Sequence, residues 1–270
     1  VDPERRFSGI TRLYGRAALA RFQAAHVCVI GIGGVGSWAA EALARSAIGK
    51  ITLIDLDHVA ESNINRQVHA LESELGKAKV LAMAQRIRGI NPECVVTCIE
   101  DFVTPDNLEE TLGRGFDFVL DAMDGVKAKA ALIAFCRERG LPLVTVGGAG
   151  GQSDPTRIEV RDLSRTEQEP LLARVRKLLR QKYNFPRSLK RKFDIEAVFS
   201  MEPTALPAGE GAACELDEHE ADEHEPADAP GITGLNCAGY GSSVCVTASF
   251  GFVAASRVLA ALAASIETPA

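Results

Sequence analysis

Short apolar runs alternate along the chain with longer stretches in which apolar residues recur every three or four positions. HVCVI (26–30), ITLID (51–55), CVVTCI (94–99), FDFVLDAMD (116–124) and LPLVTVGGAGG (141–151) are compact and apolar, bounded by glycine, proline or acidic residues. That is the pattern of buried strands. Between them, SWAAEALARS (37–46), KAKVLAMAQRIRGI (77–90) and KAKAALIAFCRERG (127–140) carry helical periodicity, with Asn91-Pro92 and Gly140 as stop signals. Ahead of the first strand, residues 11–25 read as one amphipathic helix with Leu13, Ala17, Leu19, Ala20 and Phe22 as its apolar set. The alternation predicts an α/β fold: Rossmann-like, doubly wound, with a mainly parallel sheet, helices on both faces and right-handed crossovers.

The pattern changes after residue 156. RIEVRDLSRTEQEP reads as a strand and a turn, and LLARVRKLLRQKYN as a helix. Residues 174–192 hold nine Lys or Arg and no acid, whereas residues 209–228 hold nine Asp or Glu and no Lys or Arg. The acidic tract is poor in apolar residues and is expected to be a mobile loop. Residues 241–264 are uncharged except for Arg257. Their length would span a membrane, but their Ala, Gly, Ser and Thr content and Arg257 favour a buried strand and helix. The expected organisation is a nucleotide-binding unit over 1–165, a basic helix with an acidic loop over 166–232, and a strand and helix over 233–270 as an α/β C-terminal extension.

With 270 residues, 46% hydrophobic and 24% charged, the chain can bury a sizeable core. Its net charge of −6 argues against a nucleic-acid binder as a whole, though not for the basic stretch. Seven cysteines include no C-x-x-C pair, so a four-thiolate zinc site is not expected and reduced core thiols are. VDPERRFSGI carries no apolar signal core, and a cytoplasmic protein without a stable membrane partner is expected.

VCVIGIGGVGSWAAEALA contains G-x-G-x-x-G at Gly31, Gly33 and Gly36, between a strand and a helix. In that setting the glycines permit close backbone approach, and the helix N-terminus offers N–H groups to phosphate. Asp55, nineteen residues after Gly36, ends the next strand where a ribose hydroxyl would sit. A nicotinamide enzyme would need a second ring site. The chain instead supplies Arg66, Lys79 and Asp124, the groups that neutralise a polyphosphate and hold magnesium.

GIGGVGSWAAEALARSAIGKITLIDLDHVAESNINRQ, GKAKV, INP and DAMDG resemble the adenylating domain of the ubiquitin-activating-enzyme superfamily over roughly residues 5–165, with SNINRQ the most specific part. The resemblance implies ATP and magnesium as ligands, with Gly34 on the phosphates and Asp55 on the ribose. Ser62, Asn63 and Asn65 would line the nucleotide pocket, Arg66 and Lys79 would stabilise the transition state, and Asp124 would bind magnesium. It also implies a homodimer in which Arg12 or Arg6 reaches the partner's ATP.

LVTVGGAGGQSDPTRIEVRDLSRTEQEPL and NCAGYGSSVCVTASFGFVAASRVL are similar to one branch of that superfamily, the tRNA threonylcarbamoyladenosine dehydratases. The implied reaction is ATP-dependent cyclisation of that modification at position 37 of tRNA through an acyl-adenylate. Adenylation of a ubiquitin-like sulfur carrier is the alternative, and the missing zinc cysteines weigh against it. In this reading Arg174, Arg176, Lys177, Arg180, Lys190 and Arg191 meet tRNA phosphates, and Tyr183 and Phe185 stack on an anticodon-loop base. Against that stands a solvated helix face with two core aromatics. Cys237 matches a cysteine of the branch, with transient catalysis and packing as its two readings. A monovalent cation ordering the glycine loops and sulfur-transfer proteins complete the implied ligands and partners.

Overall fold

The structure, a computed structural model, describes residues 2–205 and 240–266. Its seven strands are β1 (His26–Ile30), β2 (Lys50–Ile54), β3 (Val95–Ile99), β4 (Phe118–Asp121), β5 (Leu143–Val146), β6 (Ile158–Asp162) and β7 (Glu196–Ser200). They form one sheet in the order β3-β2-β1-β4-β5-β7-β6. All neighbours are parallel except β6 and β7. The register places Ile54, Ile30, Asp121 and Thr145 in one row at the carboxyl ends of β2, β1, β4 and β5.

Side chains alternate across the sheet, as strand geometry requires. Val27 and Val29 point into one core layer, and Cys28 and Ile30 into the other. The first layer packs against α2 (Arg16–Ala24), α3 (Gly36–Arg45), α4 (Lys79–Ile90) and α8 (Val244–Ala264). The second packs against α5 (Leu108–Leu112), α6 (Val126–Glu138) and α7 (Pro170–Lys182). Helices on both faces make the sheet doubly wound, as the alternation of runs predicts.

Several elements differ from the expectation. The predicted helix over 11–25 is two helices, α1 (Pro3–Tyr14) and α2, broken at Gly15 with φ +88° and ψ 163°. That positive φ suits glycine, and the break resets the helical phase. Leu13 is therefore 74% exposed, Ala17 and Ala20 face solvent, and Ala18 and Phe22 enter the core.

The expected strand is absent from residues 240–243, the described residues immediately before α8. Ser243 caps this helix, its Oγ accepting from Cys245 N at 3.2 Å. The β-branched Val244, Val246 and Thr247 look strand-like, but the Ala-rich continuation and the cap favour helix. α8 is long and apolar enough to cross a membrane, yet it lies along α3 in the core. A Cβ at Gly251 would stand 2.5 Å from Val35 O, so glycine sets how closely the two helices cross. Arg257, the only charge on α8, donates to both carboxylate oxygens of Glu196 at 2.9 and 2.6 Å.

β7 and α5 were not foreseen, and β6 and β7 pair although they fall in different predicted units. The predicted strand over 116–124 stops at Asp121, which leaves Asp124 in the loop that follows. Cys28, Cys94, Cys98, Cys136 and Cys245 are free thiols. Burial pushes the Cys136 thiol up to about 12, so it packs rather than reacts. Cys214, Cys237, His219, His224 and the acidic tract lie outside the described residues.

Candidate active site

The strand order reverses between β1 and β4, and a cavity of about 520 Å³ opens there at the carboxyl ends of the strands. This is where open α/β sheets hold ligands. Gly31, Gly33, Gly34, Asp55, Arg66, Lys79 and Asp124 all line the cavity. Gly36, Ser62, Asn63, Asn65 and Arg12 do not.

The turn after β1 depends on two glycines. Gly31 has φ +84°, and a Cβ there would lie 2.7 Å from Ala122 O. At Gly36 a Cβ would fall 1.8 Å from Gly31 O. The turn therefore closes tightly and aims the N-terminus of α3 at the cavity.

Asp55 is half-buried beside this turn. Its Oδ2 accepts from Ile32 N at 2.6 Å, and its Oδ1 accepts from Asp57 N at 2.8 Å. Burial pushes its carboxyl above the usual range, while Lys79 and the two N–H groups pull against that. Lys79, 5% exposed at the start of α4, donates to Asp57 Oδ2 at 2.6 Å. It thus arrives at the cavity already held by a more exposed carboxylate.

Arg66 lies over Gly34, where a Cβ would meet its side chain at 3.2 Å. Its Nη1 donates to Ser62 O at 2.6 Å and to Asn65 Oδ1 at 2.9 Å. Trp38 Nε1 donates to Arg66 O at 2.9 Å and fixes the backbone. No carboxylate pairs with Arg66 among the described residues. Burial alone lowers its guanidinium pKa, which marks an incompletely compensated charge facing the cavity.

The other polar residues of SNINRQ have different placements. Asn63 is buried, and its Oδ1 accepts from Ala60 N at 3.0 Å to cap its own short turn. Ser62 and Asn65 line an adjoining cavity instead. Buried Gln67 reaches the first cavity with its Oε1 unpartnered among the described residues, as is Thr247 Oγ1 on α8.

Beneath the cavity floor lies a group that the motifs do not reveal. Asp121 and Lys129 are both fully buried and pair at 2.7 Å. Asp121 also accepts from Thr145 Oγ1 at 2.7 Å and from Met123 N at 3.1 Å. It thereby anchors the loop that carries Asp124. Glu169, also buried, caps α7 through Leu171 N and Leu172 N and accepts from Gly148 N at 2.8 Å. Burial raises its carboxyl pKa against those N–H bonds. It holds the Gly147–Gly150 wall of the cavity, and a Cβ at Gly147 would strike it at 2.9 Å. The sequence signals were a lysine inside the apolar run AKAALIA and a glutamate just before a proline that opens a helix.

Of the basic stretch, Arg174, Lys177, Lys190 and Arg191 are exposed. Arg176 is half-buried and donates to Thr166 Oγ1. Arg180 donates to Pro186 O at 3.3 Å and sits 5.1 Å from the Phe193 ring centroid. Phe185 is 3% exposed and packs edge-on against Phe193, so it is a core residue and not a base-stacking one. Tyr183 also packs against that core layer. The apolar face of α7 draws both rings inward while its cations point out. Arg12 is exposed on the last turn of α1, and Arg6 donates to Ile90 O.

Known proteins share this architecture. The chain is 51% identical over 255 residues to the tRNA threonylcarbamoyladenosine dehydratase of Escherichia coli, covering 94% of this chain and 92% of that one. It is 50% identical over 258 residues to the enzyme of the same name from Haemophilus influenzae, covering 95% and 92%. The crystal structure of the E. coli tRNA N6-threonylcarbamoyladenosine dehydratase, TcdA, in complex with ATP superposes with a TM-score of 0.85 at 47% identity, over 98% of this chain and 96% of that one. The ThiF family profile matches residues 7–268, and the chain belongs to the ThiF family.

Proposed function

We propose that this chain catalyses the ATP-dependent dehydration of threonylcarbamoyladenosine at position 37 of tRNA. The observation that carries this is Arg66: a half-buried guanidinium over the glycine turn, held by backbone and amide groups and without a carboxylate partner among the described residues. It is placed to take up charge that appears during the reaction. The names of the relatives supply the substrate.

The carboxylate of the threonylcarbamoyl group attacks the α-phosphorus of ATP, the bond to the β-phosphate oxygen breaks, and pyrophosphate leaves. A urea nitrogen of the same side chain then attacks the activated carbonyl, loses its proton and expels AMP. Proximity drives this ring closure because both reacting groups sit on one side chain. The α3 N-terminus and Arg66 hold the phosphates, Lys79 adds positive charge beside Asp57, and Asp55 faces the ribose.

Three exposed carboxylates line the cavity: Asp57 is paired with Lys79, Asp101 lies beyond β3, and Asp124 sits on the loop after β4. Magnesium usually takes one or two carboxylates together with substrate phosphates, so Asp124 fits it and would position ATP through it. In this reading Arg174, Lys177, Lys190 and Arg191 meet tRNA phosphates, the enzyme works in the cytoplasm, and Arg12 serves the second subunit of a homodimer.

The test is to incubate the protein with ATP, magnesium and threonylcarbamoyl-modified tRNA and to follow the base by mass spectrometry. Loss of one water with release of AMP and pyrophosphate is expected. An intact base without AMP refutes the proposal, and pyrophosphate exchange that needs a Gly-Gly-terminated carrier protein would replace it with the carrier reading.

A further inference from the structure

A second cavity, of about 680 Å³, adjoins the first. Its described walls are Glu61, Ser62, Ile64, Asn65, Arg66, Tyr240, Gly241 and Ser242. Arg66 and Ser242 line both cavities, so the two adjoin at these residues. The 240–242 segment between them is fixed at both edges. Gly151 N donates to Gly241 O at 2.7 Å, and Asn65 Nδ2 donates to Ser242 O at 3.0 Å. Tyr240 is seated on the glycine run, with its Cδ1 3.1 Å from where a Gly151 Cβ would stand.

We infer that this second cavity receives the modified nucleobase of the acceptor RNA, flipped out of its loop, with Tyr240 and Ile64 as its apolar faces. The inference rests on the proposed function and adds where its acceptor binds. Among the described residues the walls contain one cation, Arg66, and one anion, Glu61, so they suit a base and its side chain better than a run of phosphates. Ser62, Asn65 and Ser242 offer neutral hydrogen-bonding groups to base edges, and Ile64 is 43% exposed. An aromatic ring with neutral polar partners is how proteins take up splayed single-stranded RNA bases. The volume falls in the general range of small-molecule sites. A base seated here would send its carboxylate past Ser242 to Arg66, at the edge of the ATP cavity. That is the approach adenylation needs, with the nucleotide in one cavity and the nucleophile arriving from the other.

The experiment compares wild type, Tyr240→Ala, Tyr240→Phe and Ile64→Trp in steady-state kinetics with threonylcarbamoyl-modified tRNA, alongside ATP binding by calorimetry. Loss of a stacking ring typically weakens a base contact about five- to hundredfold. Tyr240→Ala is expected to raise KM for the tRNA about tenfold, with kcat and ATP affinity held within about twofold. Tyr240→Phe keeps the ring and restores KM, and Ile64→Trp adds bulk to another lining position of the cavity and raises KM again.

An unchanged KM in both Tyr240→Ala and Ile64→Trp overturns the inference. So does a parallel loss of ATP affinity, which would make Tyr240 a prop for the glycine run. A wild-type enzyme that releases no AMP with this tRNA refutes the underlying function. Exchange driven by a Gly-Gly-terminated carrier and lost in Tyr240→Ala would assign the cavity to a protein tail.

Discussion

Replacing Lys129 with methionine removes the cation from a pair in which both side chains are fully buried. Methionine matches much of the lysine stem, so little cavity is created and the effect isolates the charge. Asp121 keeps Thr145 Oγ1 and Met123 N but loses the 2.7 Å contact that compensates its charge. Breaking a buried pair from one side costs about 3–5 kcal/mol. For a domain of this size each kcal/mol lowers Tm by about 2–4 °C, so a fall of roughly 6–20 °C is expected. Urea unfolding followed by circular dichroism should show a lower midpoint with the slope m unchanged. Adding Asp121→Asn neutralises the stranded acid, so the double variant should be more stable than the sum of the single losses predicts, by at least about 1 kcal/mol. Because Asp121 anchors Met123 N, the single variant should also raise KM for ATP. A Lys129→Met protein within about 1 kcal/mol of wild type, or additive losses in the double variant, would refute this account of the pair.

Arg66→Ala should lower kcat/KM about 10²- to 10³-fold with little change in Tm, and Arg66→Lys should recover little because a point charge lacks the guanidinium fork; full activity in either variant counts against the proposed role. His69 is 2% exposed with neither ring nitrogen partnered among the described residues, and burial, with Lys79 and Arg86 adding to it, lowers its pKa to about 4. Between pH 6.5 and about 4 the unfolded chain therefore binds more protons there than the native one, and stability falls by roughly 3 kcal/mol as pH drops through that window. His69→Leu should flatten the pH dependence of the urea midpoint, and an unchanged slope relative to wild type would show that His69 is not its source. If Arg174 and Lys177 contact tRNA phosphates, Arg174→Ala/Lys177→Ala should weaken modified and unmodified tRNA alike and make the salt dependence of binding shallower by about one to two in log–log slope; an unchanged slope would place the tRNA elsewhere.

The sheet and the nucleotide turn were legible in the sequence because each rests on local rules. HVCVI and ITLID are too short and too apolar to be anything but buried strands, and G-x-G-x-x-G between strand and helix has one geometric use. Errors arose where a local pattern has two solutions. Residues 11–25 keep helical composition across Gly15, so nothing but backbone geometry shows the break that turns Leu13 outward. Val244, Val246 and Thr247 are strand formers by propensity, and only the Ser243 cap and packing against α3 make them helical. β7 was hidden because EAVFS follows a cationic stretch that reads as surface, although it pairs along both edges with β5 and β6 and turns Val198 into one core layer and Ala197 and Phe199 into the other.

The site divides along the same line, and the division has a physical cause. Groups proposed to meet a ligand sit at or beside element ends, where motif spacing fixes them: Asp55 directly follows β2, Lys79 opens α4 and Arg66 follows a short turn. Groups that hold those ends in place are joined through space. Asp121 reaches Lys129 across the β4–α6 connection and Thr145 on the adjacent strand β5, while Glu169 reaches Gly148 from the start of α7. No spacing rule connects residues 121, 129 and 145, because their proximity depends on the register of β4 against β5. Yet a charged residue in an apolar run must find a partner or be expelled from the core. Lys129 inside AKAALIA was therefore already a demand for a buried acid in the sequence. The run FDFVLDAMD offers both Asp121 and Asp124, and the end of β4 at Asp121 decides between them. The motif residues and their supports thus follow from different kinds of reading, the first from spacing and the second from unsatisfied charge placed in an assumed fold.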